Sequence, residues 1–72
     1  METDYYEFSG AYENRDVLIV TKQGITETGY VEAVFPADED DSNRLSFYLN
    51  LDAGKGKVFY VDDIKEISVI DK

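Results

Sequence analysis

Apolar residues along the chain fall in short blocks, most of them β-branched or alternating with polar residues. Val17-Leu18-Ile19-Val20-Thr21-Lys22 is a β-branched run that stops at Gly24, and a second block, Ile25 to Phe35, stops at Pro36. Leu45, Phe47, Leu49 and Leu51 alternate with Ser46, Tyr48 and Asn50, the clearest period-two pattern in the sequence. Val58-Phe59-Tyr60-Val61 is a fourth block and Ile67-Ser68-Val69-Ile70 a fifth. Five strands are predicted. The links between them are turn-like: Lys22-Gln23-Gly24, the polar stretch from Pro36 to Asn43, and Asp52 to Lys57 with two glycines. Asp62-Asp63-Ile64-Lys65 is too short for a crossover helix and reads as one 3₁₀ or helical turn, with Ile64 and Ile67 meeting at i, i+3. No link has room for a βαβ unit, so the expected fold is mainly β, a five-stranded antiparallel meander.

Five short strands accumulate twist and leave exposed edges, which predicts curling into a small barrel. Gly29, in the middle of the second block, marks the expected bulge or sharp bend. The inner face then takes Ile19, Val31, Ala33, Leu45, Phe47, Leu49, Phe59, Val61, Ile64, Ile67 and Val69. Residues 1–16 form a separate aromatic and acidic segment ahead of the 17–72 β domain. Tyr5, Phe8 and Tyr12 share one helical face, and Asp4 with Glu7 has the spacing of an N-cap and its partner, which predicts a short helix over one barrel mouth. Ser9-Gly10 interrupts that pattern, and the aromatics also suit a strand.

Composition then narrows the chemistry. The 72 residues carry 16 acids against 7 bases, a net charge of −9, and no His, Cys or Trp. One domain fits in this length, and a chain so short buries only about 60% of its unfolded surface. Disulfides, thiolate nucleophiles and imidazole bases are excluded, so Ser9, Ser42, Ser46 and Ser68 have no His to activate them and no enzyme is expected. No apolar run approaches the ~20 residues of a membrane span, and the acidic start does not read as a signal peptide; a cytoplasmic module is expected. The loop from Asp38 to Ser42 fails the calcium-loop pattern, with Asn43 sixth and Leu49 twelfth, and Gly54-Lys55-Gly56-Lys57 lacks the spacing of a phosphate loop. No cofactor or metal is expected.

The stretch from Val17 to Ile70 resembles the small SH3-like barrels of the Sm-like type. The matching pieces are Val17 to Gly24, Gly29-Tyr30-Val31 in the bent strand, and Val61 to Ile67 before the last strand. The closing Asp63-to-Ile67 motif, with the Lys22-to-Gly24 turn, is similar to two bacterial groups, the YolD-like proteins and the Rho-binding antiterminators. The resemblance implies a small barrel, and through the Sm proteins an RNA-binding or ring-forming subunit as the alternative function. The chain departs from the RNA-binding Sm pattern: Val34 to Asp38 stands where an Asp-x-x-x-Asn signature belongs, and Gly54-Lys55 where an Arg-Gly pair belongs.

Charge favours another partner. Seven scattered bases in a field of 16 acids make no stripe for phosphates, so nucleic acid is disfavoured, while a basic protein surface is attracted. If Phe47 and Leu49 face inward, Tyr48 faces out, and the same parity turns Tyr30 and Tyr60 outward, flanked by Glu32 and Asp62. Tyr30, Glu32, Tyr48, Tyr60 and Asp62 are therefore the candidate contacts for a basic protein partner, such as a nucleic-acid-binding factor that the module regulates. The competing expectation has Tyr5, Phe8 and Tyr12 covering that tyrosine stripe as a second small core. The oligomeric expectation is a monomer or small homo-oligomer.

Overall fold

A computed structural model describes residues 3–39 and 41–70. A helix, α1 (Tyr5–Tyr12), precedes five strands, β1 (Asp16–Thr21), β2 (Thr26–Phe35), β3 (Ser46–Leu51), β4 (Gly56–Tyr60) and β5 (Ile64–Val69). All pairings are antiparallel, in one sheet of order β4-β3-β2-β1-β5. No described helix is long and apolar enough to cross a membrane.

The helix forms where its cap residues require it. Asp4 has extended backbone and its carboxylate accepts the Glu7 amide at 2.8 Å. With Ser9 and Gly10 in its middle, α1 has weak intrinsic propensity, and eight residues are too few to persist alone. Burial holds it: Phe8 is fully enclosed, with its ring 5.1 Å from that of Phe47. Glu13, just past the helix, fixes the other end. Its carboxylate accepts the Ser9 hydroxyl at 2.6 Å and the Val34 amide at 3.3 Å. Asn14 then adopts a left-handed φ of 63°, and the Asn14 amide donates to the Val31 carbonyl while the Val31 amide donates to Arg15. Residues 13–15 thus occupy the part of the β2 edge that β1 does not reach.

Two register shifts decide which side chains enter the core. The first lies between Val31 and Ala33, since Val31 pairs with Leu49 and Ala33 with Tyr48. Glu32 is the extra residue, and beyond it parity reverses, so Val34 is buried and Ala33 turns to the outer face. This corrects the expected inward Ala33 and the bulge expected at Gly29. Gly29 has another role. A Cβ built there would come within 2.5 Å of the Asn50 carbonyl oxygen, so the residue permits a close backbone approach. The second shift, opposite Val20 and Thr21, skips Lys65. It brings Ile64 and Ile67 to the same side from within a strand, where a helical turn was expected; the 3₁₀ turn itself is Val61–Asp63. The fifth strand accordingly starts three residues before the expected Ile67.

Closure into a barrel is not reached. Among the described residues no ladder joins β4 to β5, and these remain the two edges of the sheet. The sheet is nevertheless curled. Flat, five strands would separate the edges by about 19 Å at about 4.8 Å per spacing, whereas a three-residue 3₁₀ link spans about 6 Å. That link is Val61–Asp63, anchored by the Val61 amide on the Leu45 carbonyl and the Lys22 amide on the Asp63 carbonyl, at 3.0 and 2.9 Å. A notch of about 250 Å³ remains beside β4, lined by Ile25 of the β1–β2 turn and by Phe59. The Lys57 ammonium lies 5.2 Å from the Phe59 ring centroid there, shielding this edge of the core.

The concave side holds the core: Val17, Ile19, Val31, Val34, Phe47, Leu49, Phe59, Val61 and Ile64, with Phe8 packed into it from α1. Tyr12, Phe8, Phe47 and Phe59 form a continuous series of ring contacts with centroids 4.9 to 5.8 Å apart. Seven of the eleven positions expected inside are buried, and Leu45 and Ile67 pack against the cluster. Val69 does not; it is 40% exposed, near the end of an edge strand.

Candidate protein-docking face

Directly opposed residues of antiparallel strands share a face, so the ladders assign the convex side row by row. One row is Phe35, Ser46 and Tyr60; the next is Ala33, Tyr48 and Val58; the third is Tyr30, Asn50 and Gly56. The three tyrosines therefore lie on a diagonal across β2, β3 and β4, all on the convex side, as strand parity predicts. They are not covered as a second core: α1 packs its Phe8 against Phe47, on the concave side.

The five candidate residues are held in different ways. Tyr30 is exposed and its hydroxyl donates to the Asn14 side chain at 3.4 Å. Glu32, lifted out by the bulge, accepts from the Asn50 amide nitrogen Nδ2 at 3.0 Å. Tyr48 is half-buried and its ring passes over Gly56, where a Cβ would collide with it. A glycine in the adjacent strand thus lets this ring lie flat across β4. Tyr60 is half-buried beneath the Arg44 guanidinium, 3.9 Å above the ring centroid. Arg44 also pairs with Asp62 at 3.6 Å and Asp63 at 3.2 Å. Asp62 is therefore already engaged with a cation, while the Tyr30 hydroxyl and the Glu32 carboxylate bond to the neutral side chains of Asn14 and Asn50.

Sequence parity missed two exposed apolar residues on this face. Val58 is 47% exposed beside Tyr48, and Phe35 is 38% exposed beside Ser46. Val58 was legible, being two residues from Tyr60 on the same strand. Phe35 was not, because its side depends on the Glu32 bulge. Together Phe35, Ala33, Tyr48, Val58 and Tyr60 form a contiguous apolar surface bordered by Glu32 and the Arg44–Asp62 pair. Ser46 is buried among them, and no described buried side-chain polar atom lacks a hydrogen bond.

The convex face presents a limited set of chemical groups. It offers rings, methyl groups and carboxylates, and the chain supplies no imidazole or thiol anywhere. Among the described residues no three acidic groups are placed to hold a metal ion. Compared with known family models, curated proteins and solved structures, the chain matches none.

Proposed function

We propose that this chain is a non-enzymatic, regulatory binding module that docks on a basic protein through the convex face of β2, β3 and β4. The observation that carries the reading is the exposed Phe35–Tyr48–Val58 surface on a domain of net charge −9. A 72-residue chain has little apolar area to spare, and leaving rings and methyl groups in water is costly unless a partner covers them. Long-range attraction by the acids would speed encounter with a cationic surface, and the apolar patch would supply the contact that outlasts added salt. A nucleic-acid-binding factor fits this description, because its phosphate-binding surface is basic.

Retention of lysate proteins on the immobilised chain, at low and at moderate salt, tests the reading. Basic proteins should be retained by the wild type and lost with Val58→Ser or Phe35→Ser, while circular dichroism stays unchanged. The reading fails if no basic protein is retained at low salt, or if both variants retain the same set. An RNA mobility shift by the wild type would instead favour the Sm-like alternative.

A further inference from the structure

The convex face does not use the ring that the fold exposes most. Tyr6, in the first turn of α1, is 82% exposed, because Tyr5, Phe8 and Tyr12 take the helix side that packs on the core. Its ring meets that of Tyr5 almost at right angles, 82° with centroids 5.3 Å apart. Both rings line a groove of about 850 Å³ between the start of α1 and the connection from β2 to β3. Leu45 contributes apolar surface, and Asp4, Asp38 and Glu39 contribute carboxylates. Among the described residues no Lys or Arg lines it, and Arg44 is occupied by Tyr60, Asp62 and Asp63. The groove shares no residue with the Tyr30, Tyr48 and Tyr60 face.

These features select among ligands. Electron-rich ring faces attract organic cations, and carboxylates at the same groove add charge complementarity. A phosphate would meet three like charges. A metal ion would need converging ligands, and the described residues offer no such set. The positive end of the helix is already met by Asp4, whose Oδ1 takes the Glu7 amide. A volume of about 850 Å³ exceeds one side chain and suits a short peptide stretch.

The geometry points to a second docking site, in which the Tyr5–Tyr6 groove receives Arg or Lys side chains from a basic segment of the partner protein. This rests on the basic-partner reading above and adds a separate point of attachment, so that one partner is gripped both on the convex face and at the mouth of the sheet. Two linked contacts raise avidity well beyond either alone.

Fluorescence anisotropy with a labelled Arg-Gly repeat peptide, at low ionic strength, tests it. The wild type should bind this peptide and ignore its citrulline counterpart, which keeps the shape and loses the charge. Tyr6→Ala should weaken binding about tenfold, as should the double variant Asp38→Asn, Glu39→Gln, with circular dichroism unchanged because all three side chains are exposed. Val58→Ser should leave peptide affinity at the wild-type value. Wild-type affinity in both groove variants, or equal binding of the citrulline peptide, overturns the proposal. Binding that Val58→Ser abolishes and Tyr6→Ala preserves removes the groove and keeps the basic-partner reading. No binding by the wild type removes the groove, and lysate retention then decides the reading independently.

Discussion

The two sides of the sheet are made by the same strands and yet use aromatic residues in opposite ways. On the concave side Phe8, Phe47 and Phe59 stack ring against ring, and Phe8 and Phe47 have no exposure at all. On the convex side each tyrosine is held by a polar or conformational device: Asn14 for Tyr30, the absence of a side chain at Gly56 for Tyr48, Arg44 for Tyr60. The first arrangement stabilises the fold by removing area from water; the second keeps area at the surface in fixed positions. A single extra residue, Glu32, sorts β2 between them, sending Val34 to one side and Ala33 and Phe35 to the other.

Substitutions should cost most stability on the concave side. Phe47→Ala removes the centre of the ring series and should cost about 3–5 kcal/mol, enough to unfold a domain this small; urea denaturation followed by circular dichroism measures it. Gly29→Ala, whose Cβ meets backbone at the Asn50 carbonyl, should cost about 1–3 kcal/mol by the same measurement. Wild-type stability there would mean that the β2–β3 approach relaxes freely.

Glu13→Ala tests the link between the helix and the bulge. It leaves the Val34 amide and the Ser9 hydroxyl without their acceptor and should cost about 1–2 kcal/mol. Amide exchange should accelerate in α1 and at Val34, with β4 unaffected. The smallest effect on folding belongs to the convex side: Val58→Ser should change stability by less than about 0.5 kcal/mol while abolishing partner retention. A large loss of stability in that variant would show that the face serves the fold.

How far these features were legible in the sequence depended on whether they follow a local period. Alternation from Leu45 to Leu51 placed β3 almost residue for residue, and Asp4 with Glu7 and the aromatic spacing placed α1. The bulge had no such signal. Ala33 and Val34 are adjacent and both apolar, so neither identity favours one side. The residue type of Gly29 predicts a bend, but the backbone proximity it permits is set by Asn50 of β3, 21 residues further along the chain. On the convex face, parity found Tyr30, Tyr48 and Tyr60. It could not find Arg44 above Tyr60, because that guanidinium comes from a loop with no periodicity. The Tyr6 groove was hidden for a similar reason, since one wall comes from residues beyond β2 that the helix meets only in the folded chain.

The three-residue link between the two edge strands also predicts an order of assembly. β1 with β2, β2 with β3, and β3 with β4 are neighbours in sequence and can zip as successive hairpins. β5 alone must find a partner across most of the chain, Val17 opposite Val69, and it can do so only after the sheet has curled enough for Val61–Asp63 to reach. The strand that docks last is an edge of the sheet, held by a ladder on one side only. Native-state hydrogen exchange should show β5 opening below the global unfolding free energy while β2 and β3 exchange only with it. Equal protection in β5 and β3 would show instead that the curl and the final strand form in one step.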